Sequence, residues 1–204
     1  IVFVFAPTPE RALEMFEAGE VDVTRILPSK EIDRLRSTDG DRLIVEPGAL
    51  LIYLDMDNAT APFDDLRYRT ALSMAIDRET IIADSYSGIA SPALAMVPPG
   101  SPGALVDSCE ACAFDADQAR TLFAEAGGVA GDTIKLSHVN PDDAAAMEAI
   151  AQSWRDVLGL DVSVGTSDRS AYLACGAAPQ GVVALGWLWD YPSCYSLLSP
   201  LGES

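Results

Sequence analysis

The chain has 204 residues, enough for one large domain or two small ones, and 49% of them are hydrophobic while 22% are charged. This composition is typical of a globular protein and excludes a disordered one, and no apolar run approaches the ~20 residues of a membrane-spanning helix. Acidic residues outnumber basic ones by 31 to 13, for a net charge of −18. A field of that sign repels phosphate backbones, so nucleic acid is not expected as a partner. It would favour cationic ligands, although an acidic surface more often serves only solubility.

Strand-like and helix-like segments alternate in the first part of the chain. Four apolar runs predict strands: IVFVF (1–5), EVDVTRIL (20–27), DRLIVEP (41–47) and ALLIYLDMD (49–57). A helix is predicted between the first two, because Thr8 can cap it, Pro9 suits its first turn and Gly19 suits its end. Pro28 can open a second, short helix through Leu35.

The next segment predicts two helices followed by a long loop. Asp64 or Asp65 can cap the first helix, and Asp77 can cap a second one that ends near Gly88. Residues 91–112, SPALAMVPPGSPGALVDSCEAC, lose all periodicity and are rich in proline. We therefore expect a long surface loop there rather than a domain linker.

The remainder again alternates between helices and strands. Helices are predicted at DADQARTLFAEAGG (115–128), NPDDAAAMEAIAQSWRDVLG (140–159) and around SAYLAC (170–175); strands are predicted at DTIKLSHV (132–139), LDVSVG (160–165) and GVVALGWLW (181–189). The best helix has Asn140 as its cap and a buried stripe consisting of Met147, Ile150, Ala151, Trp154 and Leu158. This order of elements predicts an α/β layered domain.

The four cysteines suit two disulfides in an oxidising compartment, Cys109 with Cys112 and Cys175 with Cys194, although three connectivities are possible. Two unpaired thiols at Cys175 and Cys194 remain an alternative. CEAC could also be a redox pair, but such pairs lie at a helix N-terminus just after a strand, whereas this one lies in a proline-rich loop. We therefore favour structural disulfides and an exported protein, whose signal has been removed or which is an excised segment.

The sequence offers no catalytic or metal-binding pattern. His138 is the only histidine, so zinc is poorly supported. A nucleophile needs an adjacent base and an orienting group, and neither a GxSxG elbow nor a glycine-rich phosphate loop is present. No enzyme activity, no metal and no cofactor are expected.

Several segments together resemble one family. They are YLDMDNATAPFDDLRYRTALSMAIDRETII (53–82), ALAMVPPGSPG (93–103), FDADQARTLFAEAGG (114–128), AQSWRDVLGLDVSV (151–164) and GWLWDYPS (186–193). In that order they resemble the family 5 extracellular solute-binding proteins, the oligopeptide, dipeptide and nickel receptors of ABC importers. The resemblance implies a periplasmic-binding-protein-like, bilobal (type II) fold. It also implies that residues 1–204 form a single mixed-sheet α/β lobe, the second of the two, with the first lobe missing.

The resemblance also implies where a ligand would lie. In peptide-binding members, the strand resembling ALGWLWDY pairs its backbone with the extended ligand, and the acid after it receives the ligand's amino terminus. Carried over, Gly186, Trp187 and Leu188 are the pairing segment and Asp190 is the ammonium receptor. Asp190 could instead be a turn residue at the end of the strand, since an Asp before Tyr-Pro favours a turn. Trp189 stands where peptide-binding relatives usually have a small residue, so it could narrow the pocket.

Two further positions follow from the resemblance. Asn58 stands where the family often has an asparagine near the ligand, although it could instead cap the turn before Ala59. Four charged residues of the most recognisable helical segment are expected to pair and cap within the lobe rather than bind ligand: Arg67, Arg69, Asp77 and Arg78.

The implied function is ligand capture for transport. The protein would bind a peptide or a similar small polar solute between two lobes and deliver it to an ABC permease at the extracellular face of the membrane or in the periplasm. Membrane contact would be only through a lipid anchor outside this segment. The alternative is a ligand-sensing domain of a transcription regulator, because the same fold occurs there.

Overall fold

The computed structural model describes residues 1–25, 27–46, 48, 50–99, 101–105, 108–168, 181–188, 193 and 195–196. Its helices are α1 (Pro9–Glu17), α2 (Ile32–Thr38), α3 (Leu66–Met74), α4 (Arg78–Ser85), α5 (Ala116–Glu125) and α6 (Ala144–Leu158). Its strands are β1 (Leu50–Met56), β2 (Thr133–His138), β3 (Asp161–Thr166) and β4 (Val182–Leu188). Short 3-10 turns lie at Ser29–Glu31, Glu110–Cys112 and Pro141–Asp143. None of the helices described here has the length and apolar character needed to span a bilayer.

The four strands form one mixed sheet in the order β1-β4-β2-β3. β4 and β3 run parallel to β2, whereas β1 runs antiparallel to β4. The last residues of β2, β3 and β4 therefore lie at the same edge as the first residue of β1. We call this edge the carboxyl edge. The mixed sheet with its helices confirms the predicted α/β class.

The core lies between one face of the sheet and helices α3, α5 and α6. All five residues of the predicted α6 stripe are buried, at 7% exposure or less. The Trp154 indole is fully buried and its Nε1 donates to the Leu72 carbonyl of α3 at 2.9 Å. From the sheet, Leu136 and Val182 join the same cluster. The helical periodicity of 140–159 therefore identified this part of the core correctly.

Three of the predicted strands do not form. IVFVF, EVDVTRIL and DRLIVEP contain no strand in residues 1–25 and 27–46, and much of their apolar surface is exposed. A strand is stable only when a neighbour pairs with its backbone, and the described sheet places none of these runs beside β1 or β3. The helix predicted around SAYLAC lies outside the described residues.

Helices α1 and α2 form a separate unit, which we call the N-terminal unit (residues 1–46). Thr8 caps α1 as predicted, with its Oγ1 accepting from the Arg11 amide at 3.2 Å. The helices are joined by an ion pair between Arg34 and Glu17 at 2.6 Å. The buried residues of this unit lie outside the main core cluster: Ala12, Leu13, Met15, Ile32 and Leu35.

The half-buried guanidinium of Arg78 helps to hold the turn at Ala111 and Cys112 against α3. It donates to the carbonyls of Ser73 at 3.1 Å and Cys112 at 2.8 Å, and to Ser73 Oγ at 2.9 Å. Ser73 Oγ in turn donates to the Ala111 carbonyl at 2.7 Å. Burial lowers the pKa of Arg78 from its ordinary value.

The other charged residues of this segment also act within the lobe. Arg67 pairs with Asp65 at 2.6 Å, Arg69 donates to the Phe63 carbonyl at 2.6 Å, and Asp77 caps α4 through the Thr80 amide at 3.2 Å. The prediction is thus confirmed for Arg67, which forms an ion pair, and for Asp77, which caps a helix, whereas Arg69 and Arg78 donate to backbone carbonyls instead.

A buried polar cluster lies at the carboxyl edge. His138 is the last residue of β2, and its Nδ1 lies 2.8 Å from the Asn140 carbonyl, which only a donating Nδ1–H can satisfy. Asp143, 4% exposed, accepts from the Tyr86 hydroxyl at 3.0 Å. Burial raises the pKa of the Asp143 carboxyl, and the Tyr86 hydrogen bond and the nearby His138 oppose that rise. The cluster ties the residue after α4 to the turn that begins α6.

Replacing Arg78 with Met should leave the Ser73 and Cys112 carbonyls without their donor. We expect the free energy of unfolding to fall by about 2 to 3 kcal/mol, because buried acceptors lose a charged partner. Urea denaturation followed by tryptophan fluorescence measures it. Arg11→Met, which removes two exposed ion pairs, with Glu14 and Glu20, is the matched control and should change stability by less than ~0.5 kcal/mol. Equal losses in the two variants would show that the Arg78 guanidinium does not hold the loop.

Asp143→Asn should make stability less dependent on pH. The folded carboxyl ionises at a higher pH than the unfolded one, so its contribution to stability, present in acid, is lost as pH rises through the folded pKa. Asn keeps an acceptor for Tyr86 without the buried charge. The free energy of unfolding of the variant, measured by denaturation at a series of pH values, should therefore rise relative to that of the wild type between about pH 4 and pH 7. A stability difference that does not grow with pH would contradict this interpretation. The same holds if Asp142→Asn, at an exposed position, gives an equal difference.

Candidate functional site

Strand β4 extends beyond its neighbour at the carboxyl edge. β1 pairs with it along the whole of Val182–Leu188, whereas β2 pairs only with Val182, Val183 and Ala184. Within the described part of the chain, Leu185–Leu188 therefore have a strand neighbour on one side only. We call these four residues the open segment. On its β2 side, no described strand pairs with the backbone amides and carbonyls of these residues, and a strand edge of this kind can pair with a further extended chain.

The open segment passes from the core to the surface. Leu185 is buried, Gly186 and Trp187 are half-buried, and Leu188 is 51% exposed. Gly186 has no side chain, and a Cβ placed there would meet only the Leu50 Cδ1, at 3.3 Å. A glycine inside a strand allows close approach of another backbone.

Trp187 lies on the face of β4 opposite Gly186 and Leu188, beside its cross-strand partner Leu51. Its Nε1 donates to the carbonyl of Ser196 at 3.2 Å, and Ser196 is itself buried. The indole thus ties the chain after β4 back to the strand. This role for Trp187 and Ser196 was not predicted from the sequence, where no local pattern joins residues nine positions apart.

Asn58 is not brought to the open segment. Because β1 is antiparallel to β4, Met56 pairs with Val182, and Asn58 follows at the opposite end of the sheet from Leu188. It is exposed, and the turn is held by Asp57, which accepts from the Ala59 amide at 2.9 Å and from the Thr60 hydroxyl. Those bonds, with the Thr60 hydroxyl foremost, lower the pKa of Asp57. The structure therefore places Asn58 away from Gly186–Leu188, and its expected position near a ligand stays a prediction.

An open depression of about 560 Å³ lies at the start of α3. Its lining residues are Ala61, Pro62, Asp64, Asp65, Leu66 and Ala126. Asp65 is engaged in capping α3, and hydrogen bonds from Arg67 lower the pKa of its carboxyl to about 2. In the described residues, no cluster of three or more His, Cys, Asp or Glu side chains could hold a metal ion.

The remaining predicted positions are partly described. Trp189 and Asp190 lie outside the described residues, as do Cys175 and Cys194. The sulfur atoms of Cys109 and Cys112 are 1.99 Å apart, within bonding distance. Cys109 precedes the 3-10 turn Glu110–Cys112 and Cys112 is its last residue, so the pair does not lie at the start of an α-helix after a strand.

The amino-acid sequence matches the family described as "Bacterial extracellular solute-binding proteins, family 5 Middle" over residues 1–204. It is 31% identical over 195 residues to the oligopeptide-binding protein OppA of Bacillus subtilis (strain 168), covering 88% of this chain and 35% of OppA. Identity to the periplasmic oligopeptide-binding protein OppA of Escherichia coli (strain K12) is 28% over 197 residues, 91% of this chain and 36% of that protein. The chain thus spans about a third of the length of these relatives.

The chain is also similar in fold to solved structures. The murein tripeptide binding protein MppA of Escherichia coli superposes with a TM-score of 0.78 at 23% identity, covering 93% of this chain and 39% of MppA. The dipeptide binding protein from Pseudoalteromonas sp. SM9913 in complex with Met-Leu gives 0.75 at 26% identity, with 96% and 39% coverage. Such neighbours are bilobal periplasmic binding proteins of the type II fold, and members of the family are transport proteins rather than enzymes. The chain belongs to the family 5 bacterial extracellular solute-binding proteins.

Proposed function

We propose that this chain is part of the substrate-binding component of an ABC importer and that it binds a peptide, or a similar small polar solute, along the open segment of β4. The observation that carries the proposal is the backbone of Leu185–Leu188, which has a strand neighbour on only one side among the described residues. An extended peptide can add itself as a strand at such an edge.

Backbone pairing suits a receptor for peptides of varied sequence. Main-chain hydrogen bonds hold a peptide without reading its side chains, and Gly186 leaves room for a close approach. The relatives support this class of ligand, because their names refer to oligopeptides, a dipeptide and a murein tripeptide. They favour transport over a sensory role in a transcription regulator.

Asp190 is proposed to receive the amino terminus of the ligand. It follows β4 by two residues, and a carboxylate that accepts from an ammonium group contributes ~1.5 to 3 kcal/mol. The bond from Trp187 to Ser196 joins the described residues on either side of Asp190. Trp189 is proposed to narrow the pocket.

The remaining partners follow from the same role. We propose that the first lobe of the same protein covers the ligand, that the loaded protein delivers it to permease subunits, and that the exported protein is tethered by a lipid anchor outside this segment. A disulfide between Cys109 and Cys112 fits that compartment, and the contact between their sulfur atoms supports it. A bridge between Cys175 and Cys194 stays a prediction.

Asp190→Asn in the full-length protein should weaken an amine-bearing ligand by at least tenfold, about 1.4 kcal/mol. Native mass spectrometry of protein purified from its host first identifies the ligand, and calorimetry then compares that ligand with its N-acetylated form. The variant should lose affinity for the free amine and little for the acetylated form. Asp84→Asn, an exposed carboxylate on α4, is the control and should bind as the wild type does. Unchanged affinity in Asp190→Asn would remove this residue from the site.

Gly186→Val should weaken the free and the acetylated ligand alike, by about tenfold or more, because it obstructs the backbone rather than the charge. Valine suits a strand, so the variant should remain folded. Gly165→Val on β3 is the matched control, since a Cβ there meets no atom within 4 Å. Normal binding by folded Gly186→Val would contradict pairing along the open segment, whatever the result at Asp190.

A further inference from the structure

One face of the sheet carries the apolar core out to the carboxyl edge. On β4 this face holds Val182 and Ala184, which are fully buried in the core. Side chains alternate between the two faces along a strand, so Gly186 and Leu188 lie on the same face as these two. Leu188 is 51% exposed, and its cross-strand partner Leu50 on β1 is 54% exposed. The apolar row that begins in the core therefore ends as an exposed pair of leucines beside the open segment.

The side chain of Leu50 reaches across to Gly186. The direct cross-strand partner of Gly186 is Ile52, but a Cβ placed on this glycine would lie 3.3 Å from the Leu50 Cδ1. Leu50 therefore leans diagonally over the position where the side chain of residue 186 would be. Leu188 follows on the same face, two residues further along β4. The surface above Gly186 is thus bordered by aliphatic groups of these two leucines.

A chain that pairs with the open segment places one of its side chains above this surface. Residues that lie opposite each other on paired strands point to the same face, with their Cβ atoms ~4.5 to 5.5 Å apart. The residue opposite Gly186 therefore points to the face of Leu50 and Leu188. Diagonal neighbours are ~7 to 8 Å apart, within reach of long side chains only. A large side chain at this position would contact both leucines, whereas alanine would not reach them.

We propose that Leu50, Gly186 and Leu188 form an apolar subsite that takes one large aliphatic or aromatic side chain of the bound peptide. This inference rests on the proposed function and narrows its substrate class to peptides with such a residue at one position. A charged side chain placed here would lose water to an aliphatic surface without gaining a partner from the three residues. The net charge of −18 adds repulsion against an acidic side chain.

The ligand suits the leucine pair better than two other occupants do. A second copy of the chain is disfavoured, because two chains that each carry −18 repel one another. The first lobe would cover the pair whatever the ligand contains, so a change at Leu50 would then affect every peptide alike. A ligand subsite differs in a measurable way, because a change there alters the preference between peptides.

Calorimetry of the ligand-free, full-length protein with synthetic peptides tests this inference. The alanine peptide, from di- to pentapeptide, that binds most tightly is the reference, and its residues are replaced one at a time by leucine or by lysine. At one position the leucine peptide should bind at least ~10-fold more tightly than the alanine and lysine peptides. In Leu50→Gln this preference should fall below ~3-fold. Leu66→Gln, at a 65% exposed position on α3, is the matched control and should keep the preference.

The outcomes separate this inference from the proposed function. If no peptide of the series binds to the wild-type protein, the proposed function is contradicted and the subsite with it. Peptides that bind without a leucine preference, or a preference that Leu50→Gln retains, overturn the subsite alone. An equal loss of affinity for all peptides in Leu50→Gln also overturns it and assigns this residue to a contact between lobes. If Leu50→Gln does not fold, Leu188→Gln should lower the same preference, and a retained preference there overturns the subsite.

Discussion

Backbone hydrogen bonding in strand β4 is the constraint on which the rest of the structure depends. Its first residues pair on both sides, with β1 and with β2, and carry the centre of the sheet. Its last four pair on one side only among the described residues. An unpaired strand edge attracts another extended chain, so the same strand that organises the core also offers the proposed ligand its place. The mixed order of the sheet places that edge beside the start of α6.

Hydrogen bonds between polar side chains and backbone groups hold the framework around this edge, because these groups would be destabilising without a partner. Arg78 supplies donors to carbonyls of α3 and of the cysteine turn, and thereby fixes the end of the long loop against α3. At the carboxyl edge, Tyr86 and His138 surround the Asp143 carboxyl at the beginning of α6. Buried polar groups of this kind stabilise one arrangement because each alternative leaves a donor or acceptor without a partner.

Among the described residues, the open segment at 185–188 has a strand neighbour on one side only, which suits the proposed peptide that binds by its backbone and is released again.

The sequence by itself determined the features that depend on local interactions. The caps at Thr8 and Asp77 and the stripe of α6 were predictable, since each rests on residues within a few positions of one another. Family resemblance added the expected ligand-pairing role of the strand that contains Gly186. Tertiary structure alone decided which apolar runs become strands and where Asn58 lies, because strand pairing and direction join residues more than 100 positions apart. It alone also revealed the bond from Trp187 to Ser196 and, among the described residues, the one-sided pairing of Leu185–Leu188, since no local pattern encodes which neighbours a strand will have.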